Sequence, residues 1–451
     1  MDALSLHELA EASGESPARL RHWYSLGLLP GPSADELTPE CIERVRLIQF
    51  AVGRGISSET LATAHAEQGD LLGQYLSLLA PSGPRATYAF EDVAPQTGID
   101  AAVVTRIAAA IGLDEQEHLY EEDVAALRSI RTALDAGFPE EALVQLARVF
   151  TDALNKVAEA ETRLFHFYVH ERLREQGIGG DELIAAQQAV NEQLLNLVEP
   201  TILYFHRKGW ERALREDLML HLAEDLVRGQ EPGQLRLVVA FVDLASFTPL
   251  SQVMGDAAAA EVLERFSNVV RSAAIANAGT VVKQIGDAFM LIFPSAGPAL
   301  AWALEVEERA SSEARFPAVR LGIHVGDVLY RDGDYVGTNV NIAARVADAA
   351  GRHEVLVTAE VADEVSDLAG VELVALGPRR LKGLIDTVDL FRVRCREVAP
   401  TRTIDPVCGM ELVTEDAAAR LNWEGKELLF CSIECLQRFT ASPERYTVSA
   451  R

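Results

Sequence analysis

The stretch Phe241-Val-Asp-Leu-Ala-Ser-Phe-Thr248 ends a run of apolar and β-branched residues on an aspartate, Asp243. A second motif, Lys283-Gln-Ile-Gly-Asp-Ala-Phe289, places Lys283 and Asp287 around a Gly-Asp turn between two apolar segments. From residue 235 to 394 the patterns predict strand, helix, hairpin, helix, strand, helix and strand. This order favours an α+β domain in which helices cover an antiparallel sheet.

A third motif, Asp334-Tyr-Val-Gly-Thr-Asn-Val-Asn-Ile-Ala-Ala-Arg345, adds Asp334, Asn341 and Arg345. The predicted helix over residues 340–350 puts Asn341 and Arg345 on one face, because they are four residues apart. An arginine fork suits a phosphate, since it can donate to two oxygens at once. The third motif therefore predicts a phosphate-binding helix.

The carboxylates of Asp243 and Asp287 are predicted at a strand end and at the tip of an adjacent hairpin, where they could converge. Hard oxygen ligands of this kind suit Mg²⁺. Lys283 and Asp334 supply a donor and an acceptor, which complement N1 and the 6-amino group of adenine. Guanine presents the reverse pattern on that edge, so the pair favours ATP over GTP.

These six residues resemble the catalytic domain of class III nucleotidyl cyclases, over residues 234–396. The resemblance implies a palm-like (ferredoxin-like) fold and an adenylate cyclase that converts ATP to 3′,5′-cyclic AMP and pyrophosphate. It implies that Asp243 and Asp287 hold two Mg²⁺ or Mn²⁺ ions per active site. The other roles that it implies are base reading by Lys283 and Asp334, ribose orientation by Asn341 and phosphate stabilisation by Arg345.

The same resemblance implies a shared site, because the metal aspartates come from one catalytic domain and the remaining residues from another. This chain carries both sets, so a head-to-tail homodimer with two equivalent sites is expected. Lys382 in Leu381-Lys-Gly383 is a further candidate for phosphate binding.

The bulk composition limits the partners. The chain has 451 residues, which predicts several domains, and a net charge of −27, which disfavours nucleic acid and anionic membranes. No apolar run approaches the ~18 residues of a membrane span. The acidic start is unlike a signal peptide, so a cytoplasmic location is expected.

Residues 1–80 resemble a winged helix-turn-helix module of the MerR type. Ser16-Pro17 predicts a helix start, and Gly27-Leu-Leu-Pro-Gly-Pro32 predicts a turn. The segment has five arginines, no lysine and eleven acidic residues, and residues 30–37 lack the arginine that normally grips phosphate. Because DNA binding depends on neutralising phosphates, a module that contacts a protein or ligand is favoured over a DNA-binding one.

Residues 84–232 are predicted to be helical, with long helices over 121–136, 140–173, 180–197 and 200–227. The region resembles the all-helical regulatory domain that precedes some bacterial adenylate cyclase domains, which implies control by an unidentified ligand or protein. A Gly/Pro hinge at residues 228–233 would connect it to the catalytic domain. His166 and His170, four apart, fit either a metal or pH-sensing pair or, as favoured here, an ordinary helix contact.

The C-terminal residues 403–449 resemble the small YHS domain, starting from the run Asp405-Pro-Val-Cys-Gly-Met410. Cys408, Cys431 and Cys435 could share Zn²⁺ or Cu⁺ or act as a redox sensor, because thiolates favour such ions. No fourth protein ligand is evident, since the tail has no histidine. A packing module with reduced thiols is the equal alternative.

Two other functions stay open from the sequence. One is a cyclase that uses GTP, including a diguanylate cyclase, although the chain lacks the full Gly-Gly-Asp-Glu-Phe type of signature. The other is a transcription regulator whose cyclase-like domain only senses nucleotide. The acidic N-terminus argues against the regulator, and the complete catalytic set argues against an inactive domain.

Overall fold

The computed structural model describes residues 4–34, 36–38, 40–70, 72–73, 75–76, 87–88, 90–113, 119–224, 234–313, 316–368, 370–395, 403–412, 414 and 417–447. The chain forms two compact units, Met1–Arg228 and Gly229–Arg451. The predicted hinge at 228–233 lies outside the described residues. Among the described residues, no helix is both long and apolar enough to serve as a membrane span.

The described part of the first unit is helical, with a two-stranded ladder between β1 (Thr87–Tyr88) and β2 (Leu119–Tyr120). Its helices, in chain order, are α1 (Leu6–Ser13), α2 (Pro17–Ser25), α3 (Cys41–Gly53), α4 (Ser58–Gln68), α5 (Phe90–Thr97), α6 (Ala101–Ile111), α7 (Glu121–Asp135), α8 (Glu140–Phe165), α9 (Glu171–Glu175) and α10 (Gly180–Glu224).

The predicted start of α2 is confirmed. Ser16 is the N-cap, its hydroxyl accepts a hydrogen bond from the Arg19 amide, and Pro17 occupies the first turn. Leu20 and Trp23 from the same helix are buried in one core with residues of α1 and α3. A capped amphipathic helix thus forms where the sequence predicts it.

Two long helices differ from the prediction. The structure has one 45-residue helix, α10, where helices over 180–197 and 200–227 were expected, and Pro200 lies inside it. An interior proline costs about 3 kcal/mol, but helix propagation on both sides can outweigh that loss. The expected helix over 140–173 is interrupted by a π-helical turn, His166–His170, in which the two histidine rings stack with centroids 5.0 Å apart.

The second unit contains the catalytic-type sheet and a small C-terminal module. Its strands are β3 (Gln234–Leu244), β4 (Thr280–Ile285), β5 (Ala288–Phe293), β6 (Val319–Arg331), β7 (Asp334–Val336), β8 (Glu354–Thr358), β9 (Val371–Arg380), β10 (Thr387–Cys395), β11 (Thr403–Ile404), β12 (Glu411–Leu412), β13 (Ala419–Trp423) and β14 (Lys426–Phe430). Its helices are α11 (Phe247–Met254), α12 (Asp256–Ala276), α13 (Ala296–Ser312), α14 (Thr338–Ala349), α15 (Ala359–Val365), α16 (Ile433–Ala441) and α17 (Pro443–Thr447).

The large sheet has the order β4-β5-β3-β6-β8-β10-β9, and β7 pairs with β6. All its pairs are antiparallel except β6 with β8, which is parallel. The expected α+β architecture is confirmed. The sheet itself is mixed, because the crossover through α14 brings β8 back beside β6 in the same direction.

Helices cover the two faces of this sheet unequally. Helices α12, α13 and α15 pack on one face, where Phe266 and Trp302 are fully buried. Helix α14 packs on the other face through Val340 and Ala343, against Val239 and Met290. Alternation along β3 places Asp243 on this second face, together with Val239.

Helix α14 lies so close to β6 that only glycine fits at Gly322. A Cβ atom there would meet the Ala347 amide nitrogen at 2.1 Å and the Ala347 Cα at 2.6 Å. Since both atoms belong to the backbone, no rotation of a side chain can relieve the contact. Gly322 therefore sets the distance between the sheet and the helix that carries Asn341 and Arg345.

We expect Gly322→Ala to lower the free energy of unfolding of this unit by about 3 kcal/mol or to prevent folding, because backbone must shift. Thermal denaturation of the full chain would measure the effect. Gly297→Ala is the matched control, because Gly297 lies in α13 and a Cβ atom there would have no neighbouring atom within 4 Å. An unchanged melting temperature for Gly322→Ala would contradict the close packing.

Candidate active site

The two expected metal carboxylates lie at the same end of the sheet, one on strand β3 and the other in the adjacent β4–β5 turn. Asp243 of β3 is directly opposite Ala288 of β5, and Asp287 immediately precedes Ala288 in the β4–β5 turn. Both side chains are partly buried. The structure thus brings Asp243 and Asp287 together at one end of the sheet.

A residue that the sequence reasoning missed also contacts Asp243. The Arg320 guanidinium forms a bidentate pair with it: Nε donates to Oδ1 at 2.8 Å and Nη2 to Oδ2 at 2.7 Å. Arg320 lies directly opposite Asp243 in the β3–β6 register. The sequence showed only an arginine near the start of a predicted strand, and its partner depends on a register that the sequence does not reveal.

The donor set fits a pair of divalent cations. Burial raises the pKa of the Asp243 carboxyl, the Arg320 guanidinium opposes that effect, and the negative charge of Asp287 adds to it. Two carboxylates that repel each other are both stabilised in their charged form when a cation binds next to them. Their oxygens are also the hard ligands that Mg²⁺ and Mn²⁺ prefer.

The two expected base-reading residues are in direct contact. Lys283 of β4 donates from Nζ to Oδ2 of Asp334 on β7. Each side chain is about one-third exposed, 36% and 34% respectively. An ammonium group and a carboxylate are therefore held side by side and partly exposed to solvent. This arrangement suits a planar ligand whose edge offers both an acceptor and a donor.

Helix α14 carries Asn341 and Arg345, as expected. Asn341 is exposed, and the Arg345 Nη1 atom pairs with Oδ2 of Asp348 at 2.5 Å one turn later. Near the helix start, Asn339 Oδ1 accepts from His324 Nε2 at 3.0 Å. His324 is buried, which lowers its pKa, and its Nδ1 lies 2.9 Å from Thr358 Oγ1. A neutral histidine thus ties this helix to β6 and β8.

Lys382 is not brought to the other candidate residues within one chain. It is exposed in the turn between β9 and β10. Strand β9 is at the opposite edge of the sheet from β4, which carries Lys283. Its expected phosphate contact remains a prediction.

The three C-terminal cysteines form a cluster that includes a carboxylate. The Cys431 Sγ atom is 3.4 Å from that of Cys408 and 3.6 Å from that of Cys435. Asp405 is fully buried, and one ligand atom from each of the four residues lies within 4.8 Å of the others. The sequence reasoning missed Asp405 because only histidine was sought as a fourth ligand.

The cluster stabilises the thiolate of one of its cysteines, Cys435. The pKa of Cys435 is lowered to about 3, because the sulfhydryls of Cys408 and Cys431 stabilise its thiolate. The same contacts raise the pKa of Cys408. Asp405 accepts from the Val407 and Cys431 amides, each at 2.8 Å. The arrangement suits a cation that prefers sulfur ligands.

Three segments of the chain match known protein families. Residues 233–393 match the family of adenylate and guanylate cyclase catalytic domains. The chain therefore contains a catalytic domain of the adenylate and guanylate cyclase type. In the same chain, residues 37–206 match the adenylate cyclase regulatory domain, and residues 403–449 match the YHS domain. The expected cyclase catalytic domain, helical regulatory domain and YHS domain are confirmed.

Several bacterial proteins are similar to this chain over most of its length. A pH-sensitive adenylate cyclase of Mycobacterium tuberculosis is 28% identical over 372 residues, covering 78% of this chain and 88% of the relative. An adenylate cyclase of Streptomyces coelicolor is 29% identical over 287 residues, covering 63% and 73%. A crystal structure of an adenylyl cyclase from P. aeruginosa is 22% identical with a TM-score of 0.34, covering 38% of this chain and all of that one.

Proposed function

We propose that the cyclase is a regulated adenylate cyclase that converts ATP to 3′,5′-cyclic AMP and pyrophosphate at a head-to-tail homodimer. The observation that carries the proposal is the Lys283–Asp334 pair, which lies in a cyclase catalytic domain that also holds Asp243 beside Asp287. The relatives named adenylate cyclase support the choice of ATP.

Asp243 and Asp287 would hold the two Mg²⁺ or Mn²⁺ ions, which activate the attacking ribose oxygen and shield the charge of the leaving pyrophosphate. Arg320 must release the Asp243 oxygens that it now occupies. The released guanidinium stays on the adjacent strand β6, where it keeps positive charge near the triphosphate. Arg320 is therefore a positioning residue for Asp243.

The other residues bind and orient the nucleotide. Lys283 Nζ would donate to adenine N1, while an Asp334 oxygen would accept from the 6-amino group. Asn341 would orient the ribose. Arg345, once released from Asp348, would donate to the α-phosphate oxygens as negative charge develops on them.

Replacing Lys283 by glutamate should lower cyclic AMP formation at least about 100-fold, because adenine N1 would lose its hydrogen-bond donor and face a carboxylate instead. The same change should raise the ratio of GTP to ATP turnover, since glutamate can accept from the N1–H of guanine. Steady-state rates with both nucleotides would measure the shift. Lys426→Glu, on an exposed strand of the C-terminal module, is the charge-matched control. Unchanged ATP turnover would contradict base reading by Lys283.

The homodimer follows from the family resemblance, in which each site combines residues of two catalytic domains. Each chain here has one copy of each set. Within one chain, Arg345 pairs with Asp348 of its own helix, and Asn341 is exposed. Both groups are thus on a surface where a second chain could supply the nucleotide and its metals.

The regulatory assignments are part of the proposal. The helical region matched over residues 37–206 would respond to a ligand or protein that the sequence does not identify. The cluster of Asp405, Cys408, Cys431 and Cys435 would bind Zn²⁺ or Cu⁺. DNA binding by residues 1–80 stays disfavoured because of their net negative charge.

The proposal is tested by incubating the purified chain with ATP or GTP plus Mg²⁺ or Mn²⁺ and identifying the products by mass. Cyclic AMP from ATP is the expected product. Formation of cyclic GMP, or of a cyclic dinucleotide from GTP, would instead identify the protein as a GTP-specific cyclase. Nucleotide binding without any cyclic product, also in the fragment 234–396, would favour a nucleotide-sensing regulator.

A further inference from the structure

The C-terminal module packs against the helix that directly follows Asp243. Leu250 of α11 is 2% exposed and belongs to the same buried core as Met410, Phe430 and Phe439. Phe247, also on α11, packs against this core. One hydrophobic core is therefore shared between the module and the segment that continues from the metal carboxylate.

One arginine side chain donates hydrogen bonds across the same contact. Arg352, in the turn between α14 and β8, donates to Glu411 Oε1 at 2.9 Å and to the Gly409 carbonyl. Its Nη1 atom also donates to Ser246 Oγ at 3.2 Å. Arg352 thus joins the C-terminal module to Ser246, three residues after Asp243.

The neighbouring His353 lies between two glutamates at this contact. Its Nε2 lies 3.3 Å from Glu411 Oε2, and its Nδ1 lies 3.3 Å from Glu307 Oε1. Glu411 is nearly buried, with 10% of its side chain exposed, and its pKa is lowered to about 2 despite burial because His353 and Arg352 stabilise its charge. A charged network with little solvent access favours a single docked arrangement.

The backbone at the contact is held in an uncommon conformation. Ser246 has φ +63° and ψ +31°, the left-handed region that non-glycine residues seldom adopt. Gly409 is packed against it, since a Cβ on Gly409 would lie 3.0 Å from Ser246 Cβ. Such a conformation persists when surrounding contacts determine it, and here the C-terminal module supplies them.

The thiol cluster begins one residue from this contact. Cys408 precedes Gly409, and the Asp405 carbonyl accepts from the Gly409 amide at 2.9 Å. The Asp405 carboxylate holds the Cys431 amide at 2.8 Å and the Cys408 amide at 3.4 Å. Any ion that draws the three sulfurs together must therefore act on the loop that touches Ser246.

We propose that binding of a thiolate-seeking cation at Cys408, Cys431 and Cys435 fixes the Gly409–Arg352–Ser246 contact and thereby raises the rate of the cyclase. The cation fixes the module, the module fixes Ser246 and α11, and these hold the end of β3 that carries Asp243. Zn²⁺ fits the cluster best, because it accepts sulfur together with carboxylate oxygen. The effect on rate rests on the proposed cyclase activity, whereas the structural coupling does not.

The test uses the full chain, stripped of metal and kept reduced, to which a single equivalent of Zn²⁺ or Cu⁺ is added. Metal stoichiometry is measured by competition with a coloured chelator, and hydrogen exchange is followed across residues 244–254. We expect one ion per chain and at least about tenfold slower exchange in that segment, because local opening becomes costlier. Cyclic AMP formation should rise at least about fivefold, an ordinary coupling between sites.

Two variants separate binding from coupling. Cys431→Ser should lose both the metal and its effects. Arg352→Gln should bind the ion normally but show neither slower exchange at 244–254 nor a faster rate. Arg236→Gln is the matched control, because it breaks an ion pair with Glu364 at 3.3 Å on the same catalytic domain and away from the module.

Several results would overturn the proposal. These are an absence of bound Zn²⁺ and Cu⁺, bound metal that leaves exchange and rate unchanged, or an Arg352→Gln protein that still transmits the effect. A thiol oxidant added without metal could give the same slower exchange and faster rate. That result would show that a disulfide switch, and not a cation site, controls the contact. If no form makes cyclic AMP, the proposed function fails, yet the exchange measurement still decides whether the cluster controls the turn after Asp243.

Discussion

Asp243→Asn and Asp287→Asn should each lower cyclic AMP formation at least about 100-fold, because each would remove a proposed carboxylate ligand of the metal ions that stabilise the transition state. The rate is measured at saturating ATP over a range of Mg²⁺ and Mn²⁺ concentrations. A large loss that excess metal partly restores would identify a weakened ligand. Asp389→Asn, an exposed aspartate of β10, is the control for the change of charge.

The two variants should differ in stability, which separates a catalytic loss from misfolding. Asp243→Asn leaves the partly buried Arg320 without its bidentate partner, so the free energy of unfolding should fall by about 1–3 kcal/mol. Asp287→Asn removes a negative charge that raises the pKa of Asp243, so stability should stay equal or rise slightly. Thermal denaturation without metal measures both. Full turnover in either variant would remove that aspartate from the metal site.

Mixing two inactive variants should restore activity if sites are shared between chains. Asp243→Asn and Arg345→Ala proteins damage opposite halves of each site. In a 1:1 mixture with free exchange, half of the dimers are hybrids with one intact site of two. The expected activity is about a quarter of that of the unmodified enzyme, provided that the two sites act independently.

Exchange between chains has to be measured separately, for example by fluorescence transfer between labelled protomers. The control mixture combines Asp243→Asn with Asp287→Asn, which damage the same half and should stay inactive together. Hybrids that form but remain inactive would contradict a site shared between two chains. A fully active isolated monomer would contradict it as well.

Much of the fold could be predicted because local patterns and tertiary structure agree. The run that ends at Asp243 becomes β3, and the Gly286-Asp287 turn becomes the tip of the β4–β5 hairpin. Ser16 and Pro17 begin α2, as their capping chemistry requires. These features depend on residues close in sequence, which a single chain displays directly.

The missed features depend on residues far apart in sequence. Arg320 meets Asp243 across 77 positions, and that meeting is decided by the β3–β6 register. Asp405 reaches Cys431 only after the C-terminal module folds. The helices expected over 180–197 and 200–227 form one helix, because helix propagation on both sides of Pro200 can outweigh the local cost of a single proline.

The Arg320–Asp243 pair has a consequence for how the enzyme handles chelators. With the guanidinium in place, the carboxylate has a positive partner even when no divalent ion is bound. Removing the metal with a chelator should therefore abolish activity without unfolding the enzyme. Adding the metal back should restore full activity. If Asp243 binds the metal as proposed, the Arg320 side chain would leave the Asp243 oxygens whenever a divalent ion binds and would return to them when the ion is removed.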